Sequence, residues 1–221
     1  ANGNITSAKS QTFNGAFTLQ SDVVLSAGTN TITFKGTVNG THALTIGNNA
    51  NTTNVTFEKS VGSVNKLASL DVKGNATANE AIFTTGDIAV GGVANVTEVT
   101  SSGGAISVTG DATATGTISA RGNITFGGNA DVAGVTSTSG VISFTGDATA
   151  SGTISAQGDI TFGANAIINE VTSSNGAISV GGTTSANGNI TSAKSQTFNG
   201  AFTLNNSVTI LAKENTVLFK G

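Results

Sequence analysis

Cysteine is absent from this 221-residue chain. That excludes disulfides, thiol nucleophiles and cysteine-ligated metals, although by itself it names no compartment. Tyrosine and tryptophan are absent as well. An outer-membrane barrel crosses with segments of about 10 residues flanked by aromatic girdles, so this composition argues against one. No uninterrupted apolar run approaches the length of a membrane helix, about 20 residues. Charge is scarce: nine Lys and Arg stand against twelve Asp and Glu, a formal net of -3. No basic surface is available for a polyphosphate backbone, which argues against nucleic acid as a partner. Proline is missing, while glycine is abundant at 30 residues. The glycines keep no strict three-residue period, so collagen is excluded. A text crowded with Ser, Thr, Asn and Ala raises the question of disorder. The small net charge and the regular placing of Ile, Val and Phe argue for a folded chain.

What is present is a repeat. Ile106, Ile124, Ile142, Ile160 and Ile178 recur every 18 residues, and Val108, Phe126, Phe144, Phe162, Val180 and Phe198 form a second column two positions on. Pairs of such rungs make a 36-residue unit, and residues 68–211 hold four of these, the last divergent. Residues 104–121 show how one rung is built. Ile106 and Val108 alternate with Ser107, the period-2 pattern of a strand with one buried face. Gly110 and Asp111 break the run, Ala112 and Ala114 make a second inward segment, and Ile118 starts a third after Gly116. Three short strands between Gly corners describe a roughly triangular coil. Gly104, Gly122, Gly140, Gly158 and Gly176 recur in step, and the spacing predicts corners of special backbone geometry. One inward column reads Ala114, Val132, Ala150, Ile168, Ala186. That alternation of small and large fills a narrow interior and offers a reason for the doubled period.

These columns predict an all-β fold: a right-handed, single-stranded parallel β-helix, with the hand set by the steric bias of parallel crossovers. About twelve rungs fit, and at roughly 4.8 Å per rung the rod is about 60 Å long. A β-sandwich is the structural alternative and requires antiparallel hairpins. The chain reads as a single repetitive segment, 1–221, with irregular or inserted rungs at 39–67. Residues 1–19 are identical to 186–204, and a looser match runs on to Gly36 and Gly221. With no leader before Ala1 and no distinct caps, this duplication reads as one period of a longer array.

No enzyme is visible. Asp111, Asn129, Asp147 and Asn165 occupy successive corners and resemble an oxygen-rich metal site. The two aspartates, however, lie about 9.6 Å apart by rung spacing, too far for one cation, so turn formation is the better reading. Asp71, Asp87, Asp111 and Asp147 are too dispersed for the paired acid and base that sugar cleavage needs. His42, the sole histidine, has no nucleophile pattern beside it. No phosphate-binding loop is complete. No residue set calls for a cofactor or a metal. The outward row Ser107, Thr125, Ser143, Thr161, Ser179, Thr197 can contact glycans or ice, or simply solvate a sheet. The irregular stretch 39–67 offers a more specific surface, with His42, Lys59 and Lys66 as candidate ligand contacts on loops that depart from the repeat. A locally widened rung is the plainer reading of the same residues.

The phrases GNITSAKSQTFNGAFTL, GTNTITFKGTVNGTHALTIG and GDITFGANAIINEVTSSNGAISVGG carry a resemblance to the long shafts of filamentous haemagglutinin-like exoproteins of Gram-negative two-partner secretion. The chain also looks like the passenger stem of an autotransporter. The likeness covers essentially the whole chain, but its motifs are compositional rather than catalytic. It implies export through an outer-membrane secretion partner, display at the cell surface or release, and a non-enzymatic adhesin shaft. A host glycan or protein is then the expected partner. A polysaccharide-active enzyme or a direct glycan-binding module on the same coil is the alternative. No secretion-recognition domain, membrane anchor or toxin domain is legible in these residues.

Overall fold

The computed structural model describes residues 1–48 and 52–221; residues 49–51 of the irregular 39–67 stretch lie outside the described residues. Among the described residues every element is a strand, and every strand pairing between them is parallel. Antiparallel hairpins are absent among them, which removes the sandwich alternative. The chain is a parallel β-helix wound on three faces.

The first face is a sheet of twelve strands, one per turn, running from Ile5–Thr6 to Val217–Phe219. Ile106, Ile124, Ile142, Ile160 and Ile178 pair one above another in it, as the 18-residue spacing requires. A second, fifteen-stranded sheet bends around a corner and, together with a two-stranded sheet of Phe17–Thr18 and Val38–Asn39, supplies the other two faces. Its second-face column contains Ala112, Ala130, Ala148 and Ala166; its third-face column contains Ile118, Val135, Ile154 and Val171. Every residue of these columns is buried. The core is therefore a stack of matched layers, and each rung hides its apolar atoms only against its neighbours. Phe126, Phe144 and Phe162 form the heaviest column, with ring centroids 4.9 and 5.0 Å apart and planes 12° and 0° from parallel. Burying each ring contributes about 1.5–3 kcal/mol.

Two expectations change in detail. The repeated corner glycines do not have left-handed backbones; positive φ among the described glycines occurs at Gly28, Gly40, Gly47 and Gly62. Glycine is needed at the corners because stacked backbones approach too closely for a side chain. A Cβ on Gly140 would sit 2.6 Å from the Asn123 amide nitrogen, and one on Gly122 3.0 Å from the Gly104 carbonyl oxygen.

The second change concerns the 36-residue unit, for which inward size alternation is only part of the reason. Ala114 and Ile118 are four positions apart, whereas their partners Val132 and Val135 are three apart, and the ladder shifts register there. The same shift recurs between Ala150 and Thr153. The missing residue reappears at the next corner. Ala120 to Ile124 is four positions, and Ser137 to Ile142 is five. Each longer corner is tied by a buried serine. Ser137 Oγ donates to the Gly122 carbonyl at 2.8 Å and accepts from the Gly140 amide at 2.9 Å. Ser101 and Ser173 repeat both bonds. Rungs of two corner designs thus alternate at constant length.

Towards the N-terminus the spacing widens as anticipated: Leu25 pairs with Ile46, and Ile46 with Val72. Near the C-terminus Phe198 pairs with Phe219.

Candidate recognition surface

The corners settle what the repeated Asp and Asn residues do. Asp111 Oδ1 accepts the Asn129 amide at 2.8 Å, and Asn129 Oδ1 accepts the Asp147 amide at 3.0 Å. Asp147 Oδ1 accepts the Asn165 amide at 3.0 Å, and Asn165 Oδ1 accepts the Thr183 amide at 2.9 Å. Each side chain satisfies a turn N–H of the next rung, which would otherwise lack a partner at a strand break. A second ladder on the neighbouring corner uses Asp87, Asn123 and Asp159 in the same way on alternate rungs. Asp71 instead accepts a bond from Lys73 Nζ at 2.6 Å. Among the described residues no cluster of three or more His, Asp or Glu side chains is arranged to hold a metal ion.

Concave surface is limited. Shallow grooves run along the outside of the second face, lined by Asp111, Asn129, Asp131, Asp147, Thr113 and Thr149 over three rungs. Inside the coil an apolar gap lies among Leu70, Ala76, Ile82, Ile88 and Val90, where valine replaces phenylalanine in the heavy column. Its lining carries no polar group to orient a ligand. Among the Ser and Thr side chains of the outward row, Ser179 donates weakly to Thr161 at 3.5 Å.

The three candidate contacts of the 39–67 stretch are not equivalent. His42 Nδ1 stands 3.7 Å from Asp22 Oδ1, and that oxygen also accepts the Ala43 amide at 2.9 Å. His42 lies beside Ala68, two positions after Lys66; the Ala68 amide donates to the His42 carbonyl at 3.1 Å. Lys59 belongs to a different corner. Its Nζ donates to Glu80 Oε1 at 3.0 Å, while Glu80 Oε2 accepts the Ser60 amide at 3.1 Å. The hydrogen bond from Lys59 holds the Glu80 carboxyl below its ordinary range. Lys66 is exposed and forms no ion pair among the described residues.

Sequence reasoning passed over the residue between them. Residues 62–66 leave the third face and return at Leu67, carrying Val64 at the tip, 80% exposed. This excursion is braced rather than loose. Asn39 Oδ1 accepts the amides of Val64 at 3.0 Å and Asn65 at 3.3 Å, and the Gly40 amide donates to the Asn65 carbonyl at 3.1 Å. Gly62 has φ +71° with the Phe83 carbonyl close behind it, so only glycine turns the chain outward there. The signal was present in the sequence as GSVNK interrupting the column between Val61 and Leu67.

No helix of the described residues is long and apolar enough to cross a membrane. Neither the protein-family models nor the curated proteins nor the solved structures contain a match to this chain.

Proposed function

We propose that this chain is a rigid, non-enzymatic shaft segment of an extracellular adhesin, of the filamentous haemagglutinin-like or autotransporter-stem kind. One observation carries the reading: the described residues stack rung on rung along the first-face sheet, and their repeated carboxylates are committed to rung-to-rung bonds instead of converging on a substrate. A stack in which each layer is bonded to the next resists bending and holds what it carries at a fixed distance. Its placement outside the cell and the secretion partner in the outer membrane rest on the resemblance of the quoted phrases. The test is removal of residues 104–139 from the chain displayed with a binding module at its tip. Folding and binding are expected to persist, with reach shortened by about 9.6 Å. Binding lost out of proportion to the shortening would put recognition in the deleted rungs and sink the spacer reading.

The braced excursion at 62–66 favours a second reading, direct contact with a host glycan or protein. Bonds that fix the loop in advance reduce the ordering penalty on binding. Replacing His42, Lys59 and Lys66 together by alanine, with Val64→Ser as a separate variant, is expected to abolish binding by the isolated segment without loss of β-structure. Unchanged binding leaves the excursion an ordinary surface loop. The polysaccharide-active alternative has less support, because Asp111 and Asp147 each commit an oxygen to a backbone amide. Turnover of a glycan that disappears in Asp111→Asn or Asp147→Asn would reinstate it.

A further inference from the structure

Two stacks of rings fill the core, and they hang from different faces. Phe13, Phe34 and Phe57 pair one above another on the second face, with ring centroids 5.0 and 5.2 Å apart. Phe126, Phe144 and Phe162 pair on the first face. Beyond Phe57 the second-face column continues as Ala78, Val96 and Ala114. Back from Phe126 the first-face column reads Val108, Val90 and Val72. Between the stacks, three successive rungs therefore receive no ring from either of these columns.

The apolar gap inside the coil lies at this handover. Its whole wall comes from residues between Leu70 and Ile118, and it leaves a cavity of about 20 Å³ open to a water-sized sphere. A space of that kind, with no polar group to hold a water, stays dry. The side chains around it bury less completely than those in the stacks. Val96 keeps 9% of its surface and Val90 and Val108 keep 5% each, whereas Phe57, Ile124 and Phe126 keep none. Each missing ring forfeits burial and dispersion contacts that the rungs on either side retain. The strands change at the same place. Before the handover, rungs cross the second-to-third corner as two strands, Ala76–Ala78 then Ile82–Thr84, and Ala94–Val96 then Val99–Ser101. After it, Ala112–Ala120, Ala130–Ser137, Ala148–Ala156 and Ala166–Ser173 each cross as one.

We infer that the coil is two cooperative sections joined at this gap, one built on the second-face rings and one on the first-face rings, and that it parts there. In a stacked repeat, stability is a sum of rung and interface contributions, so the least buried interface sets the boundary between units that open separately. The corner ladders pass through the region unchanged. Asn75 Oδ1 accepts the Val93 amide at 2.8 Å, and Asp87 Oδ1 accepts the Ala105 amide at 2.8 Å, as Asp111 does for Asn129 further on. The difference therefore lies in the core, beneath an intact run of corner bonds. The inference concerns the coil itself and does not depend on the shaft reading. A rod so built gives way at a place fixed by its sequence, and one section stays folded while the other opens.

Hydrogen exchange of the full chain through a urea series provides the test. Residues 23–46 and 124–168 are expected to lose protection as two blocks, with the boundary between them inside 70–118. At intermediate urea their protection is expected to differ about tenfold or more. Two kinds of substitution act on the gap in opposite directions. Val90→Ile with Val108→Ile adds a methylene at each of two wall positions and is expected to draw the blocks towards one transition. Val108→Ala enlarges the space and is expected to drive them further apart. One shared transition for both blocks in the unaltered chain overturns the inference, and so does a boundary outside 70–118. It is also overturned if the filled and enlarged variants leave the separation unchanged or move it the same way, because the gap is then not the joint.

Discussion

At the scale of single residues, position along the stack decides what a side chain is worth. Phe144 lies between two other rings in a closed column, while Phe219 has a neighbour on one side only and is 47% exposed. Phe144→Ala is expected to destabilise by about 3–5 kcal/mol, from lost transfer energy plus a cavity the rigid layers cannot close. Phe219→Ala is expected to stay below about 1.5 kcal/mol, and urea unfolding of both variants checks the contrast. The corner ladder makes a charge prediction. Asn129 separates Asp111 from Asp147, and Asn129→Asp places three carboxylates at about 4.8 Å intervals. Like charges at that spacing raise the folded-state pKa of the group above its unfolded value. The neutral form is then favoured by folding, so the variant is expected to lose about 1 kcal/mol at neutral pH and to recover it as pH falls through the raised pKa. Asn129→Ala has no such recovery, which separates repulsion from the missing turn bond in melts at pH 7 and pH 4. The inward columns and the turn role of Asp111, Asn129, Asp147 and Asn165 were legible from spacing alone. Ser101, Ser137 and Ser173 were not, because in a chain this rich in serine a buried one looks like any other until its two bonds are seen.

At the scale of the rung, the alternating corners explain why the repeat is 36 residues long. A rung with the three-position step on the second-to-third corner needs the serine-tied long corner next, and the rungs above and below supply the complementary shape. Removing one rung therefore differs in kind from removing two. Deletion of residues 104–139 brings together rungs that already meet in this order elsewhere in the chain. Deletion of residues 104–121 stacks two rungs of one design, so Ser137 faces the wrong corner beneath it and the register shift has nothing to match. A buried hydroxyl and amide left without partners cost about 1–3 kcal/mol each. The single-rung deletion is thus expected to melt well below the double-rung deletion despite being the larger of the two proteins, and paired calorimetric scans decide it. Equal melting would mean that the corners adapt freely and that size alternation in the core accounts for the period. The Gly corners were visible in the sequence, but their cause was misassigned there. Periodic glycine looks the same whether it serves a left-handed turn or a close approach of stacked backbones, and only the distance to the rung below tells them apart.

At the scale of the whole molecule, the duplicate sets a rotation. Ten steps along the first-face sheet separate Ile5–Thr6 from Gln196–Phe198, and Ile190 lies one face before the latter. The 185-residue interval between copies is therefore one face short of ten turns, a rise of about 46 Å at the usual strand spacing. A whole number of turns would bring each feature back on the same side of the rod; this interval moves it to the next face. An array of such units would present the 62–66 excursion on successive sides, which suits a shaft approached from any direction. The rotation can be measured without knowing any partner. Residues 1–185 joined directly to residues 1–221 make a two-unit coil whose junction repeats the native Ser185–Ala186 sequence. Because the chain has no cysteine of its own, Lys66→Cys in both units gives two unique spin-label sites, and Lys66 is exposed and outside the core columns. Units in phase would place the labels one rise apart, near 46 Å. A shift of one face adds a lateral component across the coil, so the expected separation is clearly longer than the rise. A distance equal to the rise would show that the second copy rewinds into the phase of the first, and that the difference between the copies belongs to the ends of a single unit and not to the interval between units.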